Sequence, residues 1–285
     1  MRTAVIINSF NWPWALERSL WGFASQTRRD FRIIIADDGS GRETRELLAR
    51  MRAEAGLDIL HVWHEHRGFR KSEILNRAIA AADEDYLIFT DHDVIPREDF
   101  VAQHLRYAAP GHYLAGMAVR LPQEVSARIT VEDVRSGRAT DLGWLRAQGY
   151  RPGKYALRLS RSEGWNTFFD WVTTSPPRWR GCNSSTFREH LIAVNGLDMG
   201  MGYGGQDAEL GERLVHAGIQ PRRVRFRTPA VHLWHDRPYR DEAVVLANRQ
   251  YRQQVRTNRL TRTPRGIAEM EPLAEPAGET GPQAS

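Results

Sequence analysis

The sequence predicts an α/β domain built on a mostly parallel central sheet flanked by helices, and three observations lead there. Short β-branched runs alternate with stretches of helical apolar spacing through the first half of the chain. Polar residues follow the end of every such run. The composition, 41% hydrophobic and 26% charged over 285 residues, is that of a globular chain and excludes a collagenous, coiled-coil or wholly disordered one.

The elements follow in order. Residues 3–7, 31–36, 59–63 and 86–89 read as buried strands, and 13–26, 42–55 and 71–82 as helices, with Pro13 suited to a first helical turn. Asn8-Ser9 follows the first strand, Asp37-Asp38-Gly39-Ser40 the second, His64-Glu65-His66-Arg67 the third and Asp91-His92-Asp93 the fourth. In open parallel sheets ligands bind at the carboxyl ends of the strands, so these four loops form the expected site. Residues 121–180, rich in Arg, Gly, Pro and Trp without clean periodicity, read as irregular loops over one end of the sheet. A second patterned block gives a helix over 187–194, a glycine-rich turn at 200–205, a helix over 207–217 and strands near 222–226 and 230–234. Residues 238–264 read as a basic C-terminal helix and 265–285 as a disordered tail.

Charge is uneven. Of the 40 Lys and Arg residues only Lys71 and Lys154 are lysine. The stretch 222–265 holds 12 Arg against Asp236, Asp241 and Glu242, the end of the chain carries four Glu, and the remainder is neutral. Basicity is therefore local, and a nucleic-acid partner is not expected. The basic helix instead allows peripheral contact with an anionic membrane face. One cysteine, Cys182, excludes an internal disulfide framework and a multi-cysteine zinc site. With no apolar window of membrane-spanning length and an opening run too short for a signal peptide, the expected location is the cytoplasm, at most peripheral to the inner membrane.

The chemistry narrows by elimination. Gly153-Lys154 is followed by Tyr155, so there is no phosphate-binding P-loop, and no G-x-S-x-G elbow occurs. Gly200 to Gly205 satisfies G-x-G-x-x-G by letter but follows a turn, not a buried strand. Asp91-His92-Asp93 is the sharper feature: two carboxylates at i and i+2 past a buried strand can converge on one divalent cation, the alternative being a solvated turn. His61, His64 and His66 read as loop and core histidines, because strand alternation sends neighbours to opposite faces.

Several ordered motifs resemble one family. Val5-Ile6-Ile7-Asn8-Ser9-Phe10-Asn11, then Ile33-Ile34-Ile35-Ala36-Asp37-Asp38-Gly39-Ser40, Gly68-Phe69-Arg70-Lys71, Leu75-Asn76-Arg77-Ala78-Ile79 and Asp91-His92-Asp93, is similar to the opening of family 2 glycosyltransferases of the GT-A fold. Gly181-Cys182-Asn183-Ser184-Ser185 and Gly202 to Leu210 resemble the C-terminal segment of β-galactosyltransferase-like enzymes. The resemblance implies a GT-A fold with a metal site at the strand ends, residues 1–120 holding a UDP-sugar donor and 121–237 forming the acceptor-binding and catalytic half. It places Asp38 on the uracil and Asn8 and Phe10 against the base. Asp91 would meet ribose and metal, and Asp93 would ligate Mn2+ or Mg2+ directly. A late histidine completes the metal site, His235 in preference to His232, with at least one of the two structural. Arg67 and Lys71 stand where they could reach phosphate. Asp207 would be the general base of an inverting transfer, and Tyr203, Gly204, Gly205 and Gln206 would meet a glycan or lipid-linked acceptor. Tyr203 and Gln206 depart from the family's Trp and Glu. A sugar nucleotidyltransferase stays open although Asn8-Ser9-Phe10-Asn11 lacks the glycine its phosphate loop needs, as does a non-catalytic nucleotide-sugar-binding protein, with which Gln206 is compatible.

Overall fold

The computed structural model describes residues 1–236 and 241–271. Its strands are β1 (Thr3–Ser9), β2 (Arg32–Asp37), β3 (Ile59–Trp63), β4 (Tyr86–Asp91), β5 (Val94–Pro96), β6 (His112–Ala115), β7 (Val119–Arg120), β8 (Ser184–Phe187), β9 (Gln220–Arg223) and β10 (Ala230–His232). Its helices are α1 (Pro13–Ala24), α2 (Arg42–Ala55), α3 (Lys71–Ala81), α4 (Phe100–Tyr107), α5 (Gln123–Arg128), α6 (Val131–Arg135), α7 (Leu142–Ala147), α8 (Glu163–Val172), α9 (Arg188–Ala193), α10 (Gln206–His216) and α11 (Glu242–Thr257).

A large sheet runs in the order β3-β2-β1-β4-β8-β6-β9, and a small one in the order β5-β10-β7. The four sequence-predicted strands β1 to β4 pair in parallel, and β8 enters antiparallel between β4 and β6. Both faces of the parallel part are covered, as helical crossovers require. Ala4, Ile6, Ile34 and Ala36 face Ile74, Leu75, Ala78 and Ile79 of α3. Val5, Ile7, Ile33 and Ile35 face Leu16, Leu20 and Phe23 of α1 and Leu47, Leu48 and Met51 of α2. Each such aliphatic side chain contributes about 1.5–3 kcal/mol by leaving water, so this core holds the strand ends in fixed register.

Residues 121–180 depart from the expected loops. They form short helices α5 to α8, and Val125, Ile129, Val134 and Leu145 make a third core with Val119, Val231 and Leu233 around the small sheet. Helix α8 escapes the usual pattern because its polarity is inverted: Asn166 and Asp170 are buried while Trp165, Phe168 and Trp171 are exposed. The basic helix is α11, and it docks on α10 through Arg252 and Arg256, which pair with Glu212 at 2.6 and 2.9 Å. Of the sequence-predicted tail, Gly266 to Glu269 pack on Asn195, with Ile267 N–H donating to its carbonyl. Residues 272–285 lie outside the described residues. No helix among the described residues is long and apolar enough to cross a membrane.

One ion pair ties α10 to the loop before it. Arg213 and Glu209 are fully buried, bonded at 2.5 and 2.8 Å, and Arg213 also donates to the carbonyls of Val194 and Gly196. Removing one member of a buried pair leaves the other charge uncompensated. Arg213→Met is therefore expected to lower unfolding free energy in urea by about 3–5 kcal/mol; a loss below about 1 kcal/mol would show that the pair is not an anchor.

Candidate functional site

The parallel register brings β1, β2 and β4 to an end together. Asn8 lies level with Ala36 and Asp91, and Ser9 with Asp37. Asp37 is structural: its Oδ1 accepts from Ser40 N–H at 2.8 Å and its Oδ2 lies 2.8 Å from His61 Nε2. Asp38 is buried beside it, its Oδ1 2.7 Å from His64 Nε2 and its Oδ2 accepting from Arg70 N–H at 3.0 Å. Phe10, 38% exposed, stacks at 4.5 Å on His66, whose Nδ1 lies 3.1 Å from the Asp38 carbonyl, which leaves an aromatic surface beside Asp38. Asn8 accepts His92 N–H and Nδ1–H on its carbonyl at 3.0 Å, while its buried side-chain Oδ1 has no hydrogen-bond partner among the described residues.

Next to these ends, carboxylates gather around one lysine. Lys71 opens α3 and its Nζ is 2.7 Å from Asp91 Oδ1. Burial alone would lower the Lys71 pKa, but Asp91, Asp207 and Asp93 outweigh it and raise it. Burial would raise Asp91, and Lys71 reverses that to a net fall. Asp207, in the first turn of α10, keeps a raised pKa: burial and Asp91 lift it further than Lys71 and the Gly181 N–H pull it down. Gly181 packs close to this carboxylate: a Cβ there would stand 2.9 Å from Asp207 Oδ1, so a larger residue would push the Asp207 side chain aside.

The small sheet supplies a second group. Antiparallel pairing sets His232 of β10 opposite Val94 of β5, and Leu233 N–H donates to Asp93 O at 2.9 Å. Asp93, 3% exposed, thereby faces two histidines: His235 Nε2 is 3.3 Å from its Oδ2 and His232 Nε2 3.7 Å from its Oδ1. Each histidine donates its Nδ1–H to a carbonyl at 2.7 Å, His232 to Leu233 and His235 to Asp236, which leaves the Nε2 lone pair as the coordinating atom. Asp93 Oδ1 is buried with no hydrogen-bond partner among the described residues. One carboxylate and two imidazoles within 4.8 Å of one another, with an orphan oxygen between them, suit a divalent transition metal. The sequence reading kept one of these histidines structural; the structure brings both to Asp93. Asp91 stands apart from this group, its Oδ1 engaged by Lys71.

The glycine-rich turn closes the other side. Gly204 and Gly205 adopt φ of +105° and +101°, conformations that other residues rarely take, and α10 starts immediately after. Gln206 Oε1 accepts from Gly204 N–H at 2.9 Å and so closes the turn on itself. Asn248 of α11 donates to the carbonyls of Gly202, Tyr203 and Gly204 at 2.9–3.3 Å, and Tyr203 packs edge-on to Phe69 at 5.8 Å.

Some residues lie elsewhere than the sequence reading has them. Arg67 is exposed and pairs with Glu65 at 2.8 Å. His64 and His66 belong to the Asp38 pocket; their place just past β3, where the other strand ends carry site residues, was the available signal. Trp12, edge-on to His92 and His235 at 5.9 and 6.2 Å, and Asn248 carried no sequence signal. Burial, reinforced by Asp91 and Asp207, pushes the Cys182 thiol up to about 12, the direction that disfavours a thiolate.

Comparison with known proteins shows the family and the fold. The model of Glycosyl transferase family 2 matches residues 4–176, and that of the N-terminal domain of galactosyltransferase matches residues 172–236. Validoxylamine A glucosyltransferase of Streptomyces hygroscopicus subsp. jinggangensis is 28% identical over 257 residues, 83% of this chain and 56% of that protein. The uncharacterized glycosyltransferase YfnE of Bacillus subtilis is 33% identical over 107 residues, 37% of this chain and 26% of that protein. The chain thus spans between about a quarter and about half the length of these relatives. Among solved structures, GalNAc-T7 with UDP, GalNAc and Mn2+ superposes with a TM-score of 0.62 at 16% identity over 90% of this chain and 48% of that one. The mannosyltransferase PcManGT from Pyrobaculum calidifontis, in complex with GDP-Man and Mn2+, gives 0.55 at 18% identity over 84% of this chain and 58% of that one. The fold is GT-A.

The histidine pair sets a direct test. His235→Ala and His232→Ala are each expected to weaken Mn2+ binding, followed by calorimetry with UDP present, by on the order of 10–100-fold. An unchanged Mn2+ affinity in both variants would remove the pair from the metal site.

Proposed function

Because the chain belongs to glycosyl transferase family 2, we propose that it is a metal-dependent inverting glycosyltransferase that moves a sugar from a UDP-sugar to a glycan or lipid-linked acceptor. One observation carries this reading: Lys71, paired with Asp91 at 2.7 Å, also feels the charges of Asp207 and Asp93, and Asp93 lies with His232 and His235 in a group able to hold a metal ion. The relatives and neighbours named above support the class, and the Mn2+ and nucleotide-sugar complexes among them support the cofactor and the donor type.

The residues divide the work. Asp38, held by His64 and the Arg70 N–H, is placed to accept from the uracil N–H, with Phe10 and His66 against the base. Asp93, His232 and His235 would hold Mn2+ or Mg2+, which when bound neutralises charge on the departing diphosphate. Lys71 orients Asp91 toward the ribose and keeps it ionised. Asp207 takes the proton of the acceptor hydroxyl while the acceptor oxygen bonds to the anomeric carbon. The bond from that carbon to the diphosphate breaks in the same displacement, its electron pair leaving with UDP, so the configuration inverts. A base with a raised pKa suits this role, being closer in proton affinity to the group it deprotonates.

Asp207→Asn is expected to keep UDP affinity and to lose about 10²–10⁴-fold in transfer, read as UDP release over a panel of UDP-sugars. Full transfer by this variant would dismiss Asp207 as the base. Asp207 works only when ionised and its folded pKa is raised, so transfer should rise with pH along a limb lying above the ordinary carboxylate value of about 3.9. The residual activity of Asp207→Asn should lack that limb.

A further inference from the structure

Arg158, Arg180 and Arg225 bear on one another's charge, Arg180 bears on Asp207 as well, and none of the three is ion-paired to a carboxylate among the described residues. Arg158 is 5% exposed, yet its guanidinium makes no hydrogen bond or ion pair among the described residues; it lies over the Tyr155 ring at 4.4 Å, and its Nε is buried without a partner. The Arg180 side chain likewise has no hydrogen bond or ion pair among the described residues, and its Nε is buried. Arg225, buried, donates among the described residues only to Ser175 Oγ at 2.5 Å and to the Pro176 carbonyl at 2.7 Å. Arg223 donates to the carbonyls of Asp170 and Ser175. The nearby acid is Asp170, whose carboxylate lies 3.3 Å from Arg227. Burial, then the charges of Arg225 and Arg180, push Arg158 down to about 10, and burial with Arg223 and Arg180 lowers Arg225.

Buried cations without partners are costly, and a protein keeps them where a ligand brings the missing charge. Guanidinium groups offer donor forks that match the oxygens of a phosphate or a carboxylate. The position says which substrate carries them. Arg180 immediately precedes Gly181, at which a Cβ would stand 2.9 Å from Asp207 Oδ1, and the Arg180 charge bears on Asp207 itself. The nucleotide pocket at Asp38 and Phe10 is built from other elements, the loops after β1, β2 and β3.

We propose that Arg158, Arg180 and Arg225 form an oxyanion-binding site for a phosphate or carboxylate of the acceptor, held while Asp207 engages the acceptor hydroxyl. The assignment to the acceptor rests on the glycosyl-transfer reading. It makes the acceptor an anionic sugar or a phosphate-bearing one, selected by charge as well as shape.

Calorimetric titration of the full chain with inorganic phosphate, and separately with glucuronate, tests the site, first without nucleotide and then saturated with UDP and Mn2+. At least one anion should bind in both states, and the tighter of the two names the group. Arg158→Met and Arg180→Gln should each weaken that binding at least about tenfold, the scale of a charge-assisted hydrogen bond, and leave UDP affinity unchanged. Should Arg158→Met fail to fold, the partly exposed Arg180→Gln and the milder Arg158→Lys carry the comparison. Three results overturn the proposal: neither anion binds, binding disappears once UDP and Mn2+ are present, or no substitution alters it. If UDP with Mn2+ does not bind while the anion does and responds to the substitutions, the glycosyl-transfer reading fails and the oxyanion site stands.

Discussion

Asp91 ends a central strand of the large sheet in an ion pair with Lys71, and the charges of Asp207 and Asp93 bear on the same ammonium. The ammonium lies 2.7 Å from Asp91 and is raised in pKa by all three acids despite a desolvation that acts the other way. The cation is a compact point charge on a flexible stem, not a planar fork, and can answer several carboxylates at once. In a chain whose basic residues are almost all arginine, one of its two lysines stands here. The consequence is a division of protonation states within a few residues. Asp91 is held ionised, whereas Asp207 is lifted toward the range in which a carboxylate can take up and release a proton.

The rest of the architecture serves to keep those charges in place. The parallel core fixes Asn8, Asp38 and Asp91 on neighbouring strand ends, and the small sheet carries Asp93 and the two histidines as a unit. The third element is α11, whose Asn248 secures the glycine-rich turn while Arg252 and Arg256 clamp Glu212 of α10. Asp207 therefore depends on a helix some forty residues further along the chain. The basic stretch that stands out in the composition is partly structural for the same reason: several of its arginines are engaged with carbonyls, Glu212 or Asp198 and are not free on the surface.

Much of this was legible in the residues. The β-branched runs gave the four parallel strands nearly to the residue, and the polar loops behind them held Asp38, Asp91 and Asp93. What escaped had no local signal. Strand β8 reads Ser-Ser-Thr-Phe, polar by letter, yet Ser185 is buried because Tyr86 Oη and His104 Nδ1 each reach its hydroxyl at 2.7 Å. Burial pushes His104 down to about 3, so a neutral imidazole completes that network. Helix α8 turns its aromatic residues outward and Asp170 inward, the opposite of the periodicity used to recognise a helix. The approach of His232 to Asp93 follows from a strand pairing between residues more than a hundred positions apart, which spacing along the chain does not encode.

Whether these groups form one metal-dependent transfer site is decided most directly by anomalous diffraction from crystals grown with Mn2+ and UDP. The expected result is a manganese peak coordinated by Asp93 together with His232 or His235, with the diphosphate on its open side and Asp207 left unligated. A manganese position bound to Asp207, or one that excludes Asp93, would contradict the assignment.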